Sequence, residues 1–354
     1  MNLYVHFPFC RSKCNYCALR SSANHTADDR AAYSTRIAAE IGQLLASRTN
    51  DSLSTIYFGG GTPALCDLSP ILSILAPHIL PTPNLDSRTG ISPPTEFTVE
   101  LNPLDVTPAL LRQLKRGGVN RLSMGVQSLA DATLRAMGRP HSAAQARDAW
   151  RMIRDEGFMN AGIDLICGWP GESAWRHTLD GALALAPDHC SVYTLILEPG
   201  TLLARDVESG KVSLPPDDTA LAELAAAEHA LAEIGLERYE ISSFAKPGME
   251  CRHNLATWRG ENYIGIGDGA CSREGDAVSR TIFRLRLLKE GLCPASAAAQ
   301  FPELAPRVEE WTATLDRFVG DGLLKCIQSC SQAKTYILSQ RGTEVCDTIL
   351  AELI

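Results

Sequence analysis

From Leu3 to Gly235 the chain alternates between short apolar runs of strand length and longer stretches whose apolar residues recur at helical spacing. Residues 3–7, 55–58, 96–101, 121–126, 161–166 and 191–197 are the strand candidates. Residues 30–47, 68–79, 108–117, 130–136, 143–157, 173–186 and 219–235 are the helical ones. In the first of these, Ile37, Ile41, Leu44 and Leu45 share one face. A strand, a helix and a second strand return to one sheet in parallel, and right-handed crossovers lay the helices over its faces. About six such units predict an α/β fold, either an open barrel or a doubly wound sheet. Polar and glycine motifs stand just after the strands, where such folds build their sites.

The pattern changes further on. The polar, proline-containing stretch 87–95 reads as a solvated loop. Residues 251–271 are rich in glycine, aromatic and polar residues and read as irregular backbone near a site. A helical stretch, 304–318, leads into Gly320-Asp321-Gly322-Leu323-Leu324, a short β-like run at 335–338 and a last helix. Helix, turn, small hairpin and helix resemble a winged-helix module. The organisation expected is a barrel-like domain over 1–245, a glycine and aromatic segment over 246–295, and a winged-helix-like domain over 296–354.

Charge and cysteine usage narrow the function. The net charge of −8 lacks the basic face that nucleic-acid binding needs, so no nucleic-acid partner is expected. No apolar run reaches the ~18–20 residues of a membrane span. The first ten residues carry neither a basic region nor a long apolar core, so the chain is expected in the cytoplasm, where thiols stay reduced. Three of the twelve cysteines fall within eight residues, which points to a metal group rather than to disulfides. The scattered remainder read as small buried apolar residues.

The run is Tyr4-Val5-His6-Phe7-Pro8-Phe9-Cys10-Arg11-Ser12-Lys13-Cys14-Asn15-Tyr16-Cys17. Thiolates spaced three and two residues apart wrap one loop around a [4Fe–4S] cubane and ligate three of its irons. The fourth iron is left open to a chelating small molecule, and the amino and carboxylate groups of a methionine suit it. The competing reading, structural zinc with His6 as fourth ligand, lacks a second two-ligand knuckle.

This run resembles the signature of the radical-SAM enzymes. The preceding Tyr4-Val5-His6-Phe7-Pro8-Phe9 narrows the likeness to the oxygen-independent coproporphyrinogen III oxidases and their HemW-type relatives. In that superfamily an electron from the reduced cluster cleaves S-adenosylmethionine (SAM) to a 5′-deoxyadenosyl radical. The resemblance implies a partial (β/α)6 barrel, with Cys10, Cys14 and Cys17 holding the cluster. It also implies a set of SAM contacts: Gly60, Gly61 and Thr62 within Phe58-Gly59-Gly60-Gly61-Thr62-Pro63, then Glu100, Gln127, Arg139 and Asp164, each just after a strand or at its end. Tyr4 and Tyr16 match the aromatic contacts that flank cluster and nucleoside. The likeness covers roughly the first 270 residues well and the tail more loosely.

Two features divide the group. The oxidases carry a fourth cysteine two residues after the third, and here Cys17 is followed by Ala18 and Leu19. The oxidases also carry an N-terminal extension that is expected to be missing here, since the chain starts three residues before Tyr4. The second feature is Cys251-Arg252-His253-Asn254-Leu255-Ala256-Thr257-Trp258, which resembles the His-Asn-x-x-Tyr-Trp motif of HemW-type haem chaperones and departs from it at Thr257. It implies His253 as a haem ligand, neutral imidazole being a common axial ligand. The function so implied is a haem chaperone that binds haem and a SAM-liganded cluster. It would pass haem to a respiratory or membrane-associated acceptor and draw electrons from a donor such as flavodoxin or ferredoxin. The alternative is radical decarboxylation of coproporphyrinogen III in porphyrin biosynthesis.

Overall fold

A computed structural model describes residues 1–48, 51–80, 84–86, 90–92, 94–171, 174–328 and 333–354. Two compact units divide the chain. The first comprises Met1–Glu237, Phe244–Met249 and Ile264–Ser272; the second comprises Arg238–Ser243, Glu250–Tyr263 and Arg273–Ile354.

The first unit is built on six parallel strands, β1 (Asn2–Phe7), β2 (Thr55–Gly60), β3 (Glu96–Leu101), β4 (Arg121–Gln127), β5 (Ala161–Cys167) and β6 (His189–Thr194), which lie in chain order within a nine-stranded sheet. Register is set from the first pair, Asn2 opposite Thr55 through Phe7 opposite Gly60. A parallel sheet is covered on both faces, so its strands read as nearly continuous apolar runs. Leu3, Val5, Phe7, Ile56, Phe58, Phe97, Val99, Leu122 and Ile163 are accordingly buried. Phe58 packs between Phe7 and Phe97 with ring centroids 5.2 and 4.8 Å away. Each strand leads to a helix: Ala27–Ser47, Ser69–Leu75, Pro108–Arg116, Ala143–Asp155, Trp175–Leu185 and Asp217–Glu233. This is the open (β/α)6 arrangement that the resemblance implies, one of the two that the alternation leaves open.

Differences from the sequence reading have local causes. The first helix starts at Ala27 because Thr26 and Asp29 form a capping box, the threonine side chain taking the Asp29 amide. The stretch 68–79 divides into Ser69–Leu75 and a 3-10 turn, Ala76–His78, since Pro77 has no amide hydrogen to continue an α-helix. The expected solvated loop 87–95 is corrected in its described part. Gly90–Ser92 pairs antiparallel with Asn84–Asp86, and the buried Thr95 hydroxyl donates to the Leu53 carbonyl at 2.7 Å. Residues 87–89 and 93 lie outside the described residues. The sixth strand ends at Thr194 rather than at 197. The stretch 251–271 is not irregular throughout: it contains a helix, Arg252–Trp258, and a strand, Tyr263–Ile266.

In the second unit a helix, Val308–Gly320, precedes an antiparallel pair, Leu324–Gln328 with Lys334–Leu338, and two short helices, Gln340–Glu344 and Cys346–Ala351. A helix, a hairpin and helical turns thus follow in the order read from the sequence. Trp311, Leu315, Phe318, Tyr336 and Ile349 form its core, and the Trp311 indole donates to the Leu353 carbonyl at 3.0 Å. Among the described residues no helix is long and apolar enough to cross a membrane.

Candidate functional site

A cavity of about 490 Å³ opens at the C-terminal ends of the parallel strands, within the size range of small-molecule sites. Its wall brings together Cys10, Cys14, Tyr16, Cys17, Gly60, Gly61, Thr62, Glu100, Gln127, Arg139 and Asp164. These residues come from the loop after β1, the ends of β2 to β4, the middle of β5, and the segment after the short helix Asp131–Ala136.

The cysteine loop is tied down by its own backbone. The Cys10 amide donates to the Ser22 carbonyl at 3.0 Å, the Ser22 amide to Pro8 at 2.8 Å, and the Asn15 amide to Met137 at 3.0 Å. All three thiols are half-buried, and burial pushes the Cys17 thiol up. Among the described residues no three His, Cys, Asp or Glu side chains converge as a single metal ion requires. A cubane does not ask for that convergence, because each thiolate binds a different iron.

At the end of β2 the chain turns through Gly60 with φ +101°. A Cβ there would stand 2.5 Å from the His6 ring, and one on Gly61 would stand 2.5 Å from the Phe9 carbonyl oxygen. The glycines therefore let β2 lie against the first strand and its loop. Glu100 is held from two sides, by the Tyr57 hydroxyl at 2.7 Å and the Gly60 amide at 3.1 Å. Burial raises its carboxyl from 4.5 to about 7, against the pull of the Tyr57 hydrogen bond. Asp164, two strands away on β5, takes the Ser123 hydroxyl at 3.1 Å. Burial raises its pKa as well, opposed by hydrogen bonds from Ser191 and Ser123.

Gln127 sits at a bulge. Gly125 stands opposite Asp164 and Gln127 opposite Leu165, with the register shifted between them, and Gln127 has φ +69°. A non-glycine residue there costs about 1 kcal/mol or more. The bulge keeps both Gly125 and Gln127 on the cavity wall. The side-chain oxygen of Gln127 is buried without a partner. Arg139 donates through Nη2 to the Asn102 side-chain oxygen and the Gly125 carbonyl, both at 2.6 Å, and through Nη1 to Cys14 Sγ at 3.4 Å. Its Nε is buried and unpartnered. Buried polar atoms without partners are costly. An unmatched acceptor on Gln127 and an unmatched donor on Arg139, in a cavity with two carboxylates, fit a polar, zwitterionic ligand such as SAM. Tyr16 meets the Trp169 ring edge-on at 5.8 Å.

One expected residue of this unit stands off the cavity wall. Tyr4 is not part of the cavity wall. Its ring stacks on Tyr57 at 6.0 Å and its hydroxyl meets His6 Nδ1 at 3.1 Å. His253 belongs to the second unit, on the helix Arg252–Trp258, buried to 6% exposure. Its ring lies 6.1 Å from that of Tyr263, and burial lowers its pKa to about 4. The sequence reading missed Asn102, whose amide donates to Thr62 Oγ1 at 2.6 Å while its oxygen takes Arg139. Its signal was present: two residues beyond Glu100, it falls on the same side of an extended chain. Also missed were the exposed apolar residues at the mouth, Tyr193 and Ile196.

Glu100 carries a pH prediction. Its folded pKa of about 7 lies above the ordinary 4.5, so its contribution to stability is complete below about pH 4.5 and is lost as the pH rises to about 7. The loss is on the order of 3 kcal/mol. Urea unfolding at pH 5 and pH 8 should show the ligand-free wild type losing about that much more stability than Glu100→Gln. Parallel behaviour of the two proteins would remove the buried-carboxylate account.

Comparison with known proteins places the geometry. The model of the radical SAM superfamily matches residues 4–180. The chain is 34% identical over 274 residues to the heme chaperone HemW of Bacillus subtilis, covering 75% of this chain and 69% of that one. It is 34% identical over 273 residues to the HemW of Escherichia coli, covering 76% and 69%. It is also 34% identical over 274 residues to the mitochondrial radical S-adenosyl methionine domain-containing protein 1 of Danio rerio, covering 77% and 60%. The chain thus spans about 60–70% of the length of these relatives. Among solved structures, the coproporphyrinogen III oxidase HemN of Escherichia coli superposes with a TM-score of 0.78 over 99% of this chain and 89% of that one. At 20% identity that likeness speaks for the fold.

Proposed function

This chain belongs to the radical SAM superfamily and, within it, to the HemW group, and from that premise we propose that it is a haem chaperone carrying a SAM-liganded [4Fe–4S] cluster. Cys10, Cys14 and Cys17 hold three irons of the cluster, which when bound and reduced supplies a single electron at the sulfonium of SAM. The buried carboxylates of Glu100 and Asp164 take ribose hydroxyls or the ammonium of SAM. Arg139 pairs with its carboxylate through the Nε left unpartnered. Gln127 offers its unpartnered oxygen to a donor on the nucleoside. Haem is bound and passed, in the cytoplasm, to a respiratory or membrane-associated acceptor, with a flavodoxin- or ferredoxin-type donor reducing the cluster.

The observation that carries the chaperone reading is Leu19. It occupies the place where the oxidases have their fourth cysteine, and it stands 56% exposed at the cavity mouth. The names of the HemW relatives support the same reading. His253, its pKa lowered to about 4, is neutral at physiological pH and needs no deprotonation to ligate iron. In the described conformation it is buried, so ligation requires the helix Arg252–Trp258 to give way.

The test is a side-by-side assay of the anaerobically reconstituted protein. It should bind haem and should not decarboxylate coproporphyrinogen III with SAM and reductant. His253→Ala should shift the Soret band or weaken haem binding while SAM affinity stays. Conversion to protoporphyrinogen at roughly 0.01 per second or faster would overturn the reading, since such a rate requires a competent radical site.

A further inference from the structure

We infer that Asn102 is a positioning residue that orients one hydrogen-bond donor onto each of two cluster cysteines and thereby raises the reduction potential of the cluster. The inference rests on the cluster reading above.

The direction of the hydrogen bonds follows from what each group can do. A guanidinium only donates. Arg139 Nη2 lies 2.6 Å from the Asn102 side chain, so the atom facing it must be the amide oxygen. The Asn102 nitrogen therefore faces Thr62 Oγ1, 2.6 Å away, and donates to it. With its oxygen accepting from Asn102, the Thr62 hydroxyl has its own hydrogen to give, and Cys10 Sγ lies 3.9 Å away. On the other side, the Gly125 carbonyl at 2.6 Å takes Nη2 as well. The guanidinium plane is thus fixed with Nη1 against Cys14 Sγ at 3.4 Å. One amide sets an O–H on Cys10 and an N–H on Cys14. The buried Thr62 hydroxyl has no other acceptor among the hydrogen bonds described for it.

Hydrogen bonds to the sulfurs and nearby positive charge stabilise the more negative, reduced state of an iron–sulfur cluster and so raise its potential. Without Asn102 the arginine keeps Gly125 but loses its second anchor, and the threonine hydroxyl loses the donor that turns its hydrogen toward sulfur.

The experiment is an anaerobic redox titration of the reconstituted full chain without SAM, followed by electron paramagnetic resonance, with iron and sulfide measured on the same samples. Asn102→Leu should keep wild-type iron and sulfide. Its reduced-to-oxidised ratio at a fixed potential should fall about tenfold, a 59 mV shift for one electron. Thr62→Val should give a smaller shift of the same sign, and Thr62→Ser, which keeps the hydroxyl, none. In the double variant Asn102→Leu with Thr62→Val, the valine should add little, because the hydroxyl is already misdirected. A fully loaded Asn102→Leu with the wild-type potential overturns the inference and leaves the cluster reading standing. Should Asn102→Leu fail to fold, equal potentials for Thr62→Val and Thr62→Ser overturn it instead. A wild type that takes up no iron removes the cluster reading and the inference together.

Discussion

Cys10→Ser, Cys14→Ser and Cys17→Ser should each emerge from anaerobic reconstitution without the roughly four irons and four sulfides that the wild type takes up. The three thiols share one cavity wall and one hydrogen-bonded loop, and a serine oxygen is a poor substitute for a thiolate on iron. Cys271→Ser and Cys326→Ser are the controls. Both residues are exposed and neither lines the cavity, so iron and sulfide should stay at wild-type levels. The buried Cys66 lies off the cavity wall, so it is a packing residue rather than a ligand. Iron lost in the control pair and kept in the first three would reverse the assignment.

Arg139→Ala should weaken SAM binding by about 1–3 kcal/mol, the usual scale of a charge-assisted hydrogen bond, or roughly 5- to 150-fold. Iron content should not change, because the guanidinium touches a ligand without being one. Asp164→Ala should also weaken SAM. Calorimetry without oxygen measures both. Wild-type affinity in the two variants would refute the SAM assignment of this cavity.

Much of this molecule was legible in its sequence, because a parallel sheet leaves a simple trace. The apolar runs that became β1 to β6 are buried on both faces, so hydrophobicity alone located them. What it could not locate were features set by hydrogen bonds. The start of the first helix depended on the Thr26–Asp29 cap. The pair Asn84–Asp86 with Gly90–Ser92 lies in a polar stretch with no alternation to betray it. Residues of the cavity wall were legible where they are close in sequence, as in the cysteine loop, where a polar residue nears a strand end, as at Glu100, and where a lone carboxylate interrupts an apolar strand, as at Asp164. Legibility ended where tertiary packing decides. Nothing in the residues around Tyr4 says that its hydroxyl turns to His6. Nothing around His253 says that a helix buries it.

The shift at Gln127 has a wider meaning. On the strand side of residue 126 the ladder is regular, from Leu122 opposite Ala161 to Gly125 opposite Asp164, and it resumes with Gln127 opposite Leu165. Take away one peptide unit and the pairing would close without a gap, with no backbone in the left-handed region. The sheet would lose nothing as an architecture. The wall would lose its amide, because the next residue of a regular strand faces the other way. The capacity to hold a ligand is here a local graft on the scaffold rather than a property of it. Chains sharing this sheet can therefore diverge in what they bind through single-residue insertions at strand ends, with their cores untouched.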